Sequence, residues 1–156
     1  AEPFRVSGGA LGEGEADWRL QDVPSGVALA HRFNFVPAMW QRVNLSLEGL
    51  CEGTDTGDPA ASAAQRALAG CRARLRPLFE EPGRIAAEFS VGVPHIIRAE
   101  DLARMADAWE AFTDRVRLQY RGWTAEMFSW ILAARHAGVR FAYLAEVVSD
   151  PEAPEP

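Results

Sequence analysis

Gly122-Trp123-Thr124-Ala125-Glu126-Met127-Phe128-Ser129-Trp130 opens an apolar, Ala-rich run that continues to Ala137 and meets Gly138. That pattern predicts a helix from about Thr124 to Ala137, with Gly138 as the residue that turns the chain out of it. Residues 139–148 then read as a strand. Upstream, Leu102, Met105, Trp109, Phe112 and Val116 recur every three or four residues. They predict a second amphipathic helix whose other face carries Arg104, Asp107, Glu110, Asp114, Arg115 and Arg117. Two adjacent helices between short strands give a mixed α/β class, a mixed short sheet with packed helices.

The remaining segments are less regular. Residues 1–26 are rich in Gly, Glu and Ser, with breakers at Gly8-Gly9 and Gly12-Glu13-Gly14, and are expected to be irregular. Residues 27–35 form an apolar run with aromatics, read as a strand that ends before Pro37. Residues 38–50 are read as helical. Asp58-Pro59 offers an N-cap acid with Pro at the first helical position, so a helix is expected from Ala60 to about Leu75, stopping near Pro77. Residues 83–91 read as loop then strand, and residues 94–98 as a second short strand. The tail, residues 151–156, is acidic and Pro-rich and is expected to be disordered.

Composition narrows the function. The chain has 156 residues, enough for one domain or a piece of a larger one, and a net charge of −6. That charge, with no basic patch of interleaved aromatics, argues against a general phosphate-backbone binder, so no nucleic-acid partner is expected. The basic residues other than His are all Arg, which removes any Schiff-base or P-loop lysine from this chain. No apolar run is long enough to span a bilayer. The chain does not begin with Met and shows no signal peptide, so its start is expected to be a processing or fragment edge. His31, His95 and His136 lie in different segments, and no HExxH or CxxC spacing predicts a metal site. His136, near a helix end, is expected to be a charged imidazole favoured by the dipole.

Cys51 and Cys71 bracket a Gly/Ala/Asp-rich segment. They fit a disulfide closing a loop of about twenty residues, and they fit two free thiols equally well. Asn44-Leu45-Ser46 matches the N-glycosylation acceptor pattern. Both features lean toward an oxidising, luminal compartment.

On a helix, positions i, i+3 and i+7 share a face, so Trp123, Glu126 and Trp130 are expected together. A carboxylate between two indoles suits a sugar, which offers C–H faces and hydroxyl edges. The plain alternative is structural: acids are favoured in the first turn of a helix, and Trp at helical spacing is ordinary core.

Several blocks, in order, resemble the plant and algal peptidyl glycosyltransferases, comprising the hydroxyproline O-arabinosyltransferases and peptidyl-serine α-galactosyltransferases. Pro94-His95-Ile96-Ile97-Arg98-Ala99-Glu100-Asp101-Leu102 is similar to that family's Pro-Val-Ile-Ile-basic-x-acidic-Asp-Leu segment, with Trp109 at the spacing of its next Trp. Gly122-Trp123-Thr124-Ala125-Glu126-Met127-Phe128 is similar to its Gly-Trp-x-x-Glu-Met-Tyr motif, and residues 134–140 to the helix end and Gly-hydrophobic-Arg turn that follow. The resemblance implies a partial GT-A-like domain over residues 27–150, the C-terminal, acceptor-side part of that fold, with residues 48–70 as an insertion. It implies transfer of a sugar from a UDP-sugar donor to hydroxyproline or serine of a peptide acceptor. It also implies a divalent cation such as Mn²⁺ in the full-length enzyme, and a Golgi or ER lumen location. Glu126 is carried over as the catalytic residue, with Gly122, Trp123, Met127 and Pro94 as substrate-binding positions. The chain departs from the family in three ways: it has no Asp-x-Asp, Gly92-Val93 replaces a polar pair, and Phe141 replaces the His of the final turn. The alternative is a non-catalytic carbohydrate- or peptide-binding α/β domain.

Overall fold

The computed structural model describes Phe4–Gly9, Glu15–Trp18 and residues 23–54, 60–81 and 83–144, with β1, β2 and Pro94 described by backbone alone. The strands are β1 (Phe4–Gly9), β2 (Glu15–Trp18), β3 (Val27–Arg32), β4 (Val91–Ile97) and β5 (Arg140–Leu144). They form one sheet in the order β2-β1-β5-β3-β4. β3 and β5 run parallel, from Val27↔Arg140 to His31↔Leu144, and the other pairs are antiparallel. The architecture is thus mixed α/β, a short mixed sheet with packed helices.

The irregular N-terminal segment expected from the sequence instead contributes the β1–β2 pair. Gly8-Gly9 does not break β1. A register shift lies between Ser7 and Gly9, where glycine accommodates a bulge. At the far edge, β4 shifts register against β3 between Ala30 and His31. Pro94 sits in this outer strand, where a missing N–H removes no inner ladder bond.

Between β3 and β4 the chain forms α1 (Phe35–Trp40), α2 (Leu47–Leu50), α3 (Ala63–Ala67), α4 (Cys71–Glu80) and α5 (Arg84–Phe89). Several expectations change here. The strand after Gly26 stops at Arg32, and α1 begins at Phe35 with Pro37 in its first turn, where its absent N–H has no helical partner to lose. The helix expected over residues 38–50 is split, because Ser46 starts a new one: its Oγ accepts the Gly49 N–H at 3.1 Å. The helix expected over residues 60–75 is also two. Ser62 and Gln65 form a reciprocal capping box at the start of α3, and Gly70, at φ 73°, separates it from α4. Asp58-Pro59 lies outside the described residues, and Pro77 lies inside α4 rather than ending it. Residues 84–89, expected to lead from a loop into a strand, are helical. The Arg84–Glu88 pair, four residues apart, supports that turn, and Ser90 Oγ donates to the Ala86 carbonyl at 2.8 Å.

Cys51 and Cys71 are joined in a disulfide that ties the end of α2 to the start of α4, with Cα atoms 5.5 Å apart. Both residues are buried.

The two long helices, α6 (Ala99–Gln119) and α7 (Ala125–Ala137), pack together over one sheet face. Their apolar stripes bury Met105, Phe112, Val116, Phe128 and Leu132 against Ala28, Ala30, Phe141 and Tyr143. α7 ends at Gly138, φ 74°, as the sequence predicts. Val27, Leu29, Ala142 and Leu144 alternate to the opposite sheet face and are also buried. Residues 145–148 of the expected last strand lie outside the described residues.

Asp101 fastens the helix layer to the sheet. It is fully buried, and accepts the Gly26 N–H at 2.7 Å and the Ser25 hydroxyl at 3.1 Å. Arg104 pairs with it from the next turn of α6. Burial pushes its carboxyl up, but the Gly26, Arg104 and Ser25 hydrogen bonds together hold it below the usual carboxylate range.

Candidate functional site

The turn from α6 to α7 carries the candidate residues. Gly122 is required there by a close approach: a Cβ would sit 1.9 Å from the Tyr120 hydroxyl. That hydroxyl bonds Thr124 Oγ1 at 3.0 Å, and the Tyr120 ring packs edge-on against Phe128 at 5.7 Å. The turn is therefore folded over its own tyrosine, and this leaves Trp123 outside. Trp123 is 75% exposed.

The three residues expected on one helix face do not meet. Trp123 precedes α7 rather than belonging to it. Trp130 is half-buried against Trp109, at 4.9 Å between rings, and against His95, at 5.3 Å. Glu126 stands in the first turn of α7, beside an open groove whose walls include Arg117, Leu118, Arg121 and Trp123. Met127 turns inward and packs against the core. Pro94 lies on β4, at the sheet edge.

Trp123 instead completes a different row. Its ring lies 5.3 Å from that of Phe35, which lies 5.8 Å from and nearly parallel to Phe33. Phe33 and Phe35 follow the carboxyl end of β3, the end of parallel strands where α/β sheets commonly hold ligands. Phe33 fits only because residue 92 is glycine: a Cβ there would stand 2.7 Å from the Phe33 Cβ. Three half-exposed or exposed rings thus run across the surface to the Glu126 groove.

Arg117 pairs with Glu126 across the mouth of that groove. Its hydrogen bond holds the carboxyl below the usual range. Glu126 is therefore ionised at neutral pH and can accept a hydrogen bond or a proton, but cannot donate one.

Neither Phe33, Phe35 nor Arg117 is singled out by the sequence. Phe33-Asn34-Phe35 reads as the end of a strand, and Arg117 as one of many charges on a solvated helix face. The one available signal is the pair of aromatics flanking Asn34 just before Pro37.

His95 and His136 pack against aromatic rings. Burial drives His95 down to about 4. Among the described residues, His95 Nε2 and the indole nitrogens of Trp109 and Trp130 have no hydrogen-bond partner. His136 is not the charged helix cap expected. Burial lowers its pKa, and Nε2 lies 3.0 Å from the Ala67 carbonyl. A second cleft, of about 370 Å³, lies near the start of β5 and holds Glu88 between Arg84 and Arg135.

Among the described residues, no three or more of His, Cys, Asp and Glu converge as a metal site. The divalent cation implied by the resemblance thus has no ligand set among them. Also among the described residues, no helix is long and apolar enough to cross a membrane. Comparison with protein-family models, with curated proteins and with solved structures finds no match to this chain.

Proposed function

We propose that this chain is the acceptor-side part of a GT-A-like glycosyltransferase that moves a sugar from a UDP-sugar to hydroxyproline or serine of a peptide. One observation carries the reading: the Phe33–Phe35–Trp123 row leads to an ionised carboxylate at Glu126. Proline-rich peptides are extended, rise about 3.1 Å per residue, and dock on aromatic-lined surfaces with little ordering cost. The two ring-to-ring steps of 5.8 and 5.3 Å are each close to the rise of about two residues of such a chain.

In this arrangement the aromatic row holds the peptide, and Glu126 accepts the hydrogen bond of the acceptor hydroxyl. The hydroxyl oxygen bonds to the sugar carbon as the bond to the diphosphate breaks, and Glu126 takes the released proton. Arg117 keeps Glu126 ionised and limits its rotation. Gly122 lets the turn close over Tyr120 and so sets Trp123 on the surface. The UDP-sugar and its cation bind through the complete domain.

The test is a protein carrying both halves of the domain, assayed with a UDP-sugar and a proline-rich acceptor peptide. Glu126→Gln should lower kcat about 100-fold, the range for a positioned general base, with little change in peptide KM. Trp123→Ala should raise peptide KM and leave kcat nearly unchanged. Unchanged turnover in the Glu126 variant removes that residue from the chemistry.

A second reading, a non-catalytic carbohydrate- or peptide-binding domain, is favoured by the pairing of Glu126 with Arg117, which suits a neutralised surface as well as a reacting one. It gives the same loss of peptide binding in Trp123→Ala, and no transfer in any form of the protein.

A further inference from the structure

We propose that Asn44 is a site of N-linked glycosylation. Residues 44–46 read Asn-Leu-Ser, and the chain's other asparagine, Asn34, lies in no such triplet. The structure adds three observations. Val43 and Leu45 are both buried, while Asn44 between them is exposed. The Leu45 N–H donates to the Val43 carbonyl at 2.9 Å, so the chain turns tightly with Asn44 at its apex. The two anchoring neighbours therefore hold the amide away from the core, with room for a bulky substituent. The Cys51–Cys71 disulfide follows a few residues later, and such bonds form and persist in the compartment where this modification occurs.

The transfer is a substitution at a sugar carbon. Asn44 Nδ2 bonds to C1 of the first sugar of a polyprenyl-diphosphate-linked oligosaccharide. The C1–O bond to the diphosphate breaks, the polyprenyl diphosphate leaves, and one amide proton passes to a base of the host transferase. Ser46 has a second task after folding. Its Oγ accepts the Gly49 N–H, and its backbone N–H donates to Gln119 Oε1 at 2.7 Å. Because the modification acts on chain that has not yet folded, the two uses of Ser46 do not compete. The proposal is independent of the transferase reading and needs only that the chain enters an oxidising lumen.

The experiment translates the full chain, behind a cleavable leader, with endoplasmic-reticulum microsomes. The expected result is a mass increase of one glycan in the protease-protected fraction, reversed by peptide-N-glycosidase. Asn44→Gln and Ser46→Ala should abolish it, and Ser46→Thr, which keeps both hydroxyl functions, should retain it. Asn44→Gln leaves the Ser46 cap intact, so its fold is a control for Ser46→Ala. The idea is overturned if the protected chain forms its disulfide without gaining mass, or if the gain survives Asn44→Gln.

Discussion

Asp101 and Gly26, 75 residues apart, are joined by a 2.7 Å hydrogen bond from a backbone amide to a fully buried carboxylate. The bond fixes where α6 begins relative to the turn that leads into β3. Asp101→Ala leaves the Gly26 N–H and Ser25 without their acceptor, and should cost about 3 kcal/mol in chemical denaturation. Asp101 is held below its unfolded pKa. Its contribution is therefore complete above about pH 4 and is lost as pH falls through the folded value. An unchanged denaturation midpoint would show that this link is not needed.

Gly122→Ala places a methyl group on the Tyr120 hydroxyl. The ring must leave the turn, so the variant should lose roughly 1–3 kcal/mol of stability, and Trp123 should shift relative to Phe35. Combining it with Tyr120→Phe should recover none of the loss, because the ring carbon that bore the hydroxyl still overlaps the added methyl group and the bond to Thr124 is gone. Urea titrations of the two variants check this.

Reducing the Cys51–Cys71 bridge should lower stability by about 3 kcal/mol, the value for a closed loop of this length. Thermal melts with and without reductant measure it. The first region to lose protection in hydrogen exchange should be α2 to α4, which the bridge joins.

His95 gives a second acid-sensitive range. Its pKa falls from 6.5 in the unfolded chain to about 4 in the fold, because burial disfavours the imidazolium. The stability it supports is whole above about pH 6.5 and declines as pH drops toward 4. His136, also lowered, adds to the same slope. His95→Phe should flatten the slope between these limits without removing it, as read from denaturation midpoints at successive pH values.

Trp123→Ala removes an exposed ring and should change stability by less than about 0.5 kcal/mol. Trp130→Ala empties a half-buried position packed on Trp109 and should cost about 3 kcal/mol. The contrast separates the surface indole from the core indole, and a large loss in both would place Trp123 in the core.

The helices with long apolar stripes were legible because their period exceeds local noise: α6 and α7 lie where the spacing puts them. The short helices were not. α1 begins inside a run with strand-like composition, and packing Val36, Met39 and Trp40 on the core favours the helix. α5 carries no long stripe and is held by Ile85, Phe89 and a charge pair. At the site, the sequence pointed to Trp123 and Glu126 but supplied the wrong third partner. Helical spacing assumes that Trp123 is already in the helix, whereas Gly122 and Tyr120 delay the start of α7 until Ala125. The ring that does meet Trp123, Phe35, comes from a segment about ninety residues earlier, and nothing local encodes that approach.

The parallel pairing of β3 with β5 bears on how the molecule is made. β3 leaves the ribosome about a hundred residues before β5, and the edge that β5 pairs has no partner strand during that interval. α1 to α4 and their cross-link can assemble in the meantime. Truncation before Arg140 should therefore leave the β3 edge unpaired and the shortened chain prone to aggregate.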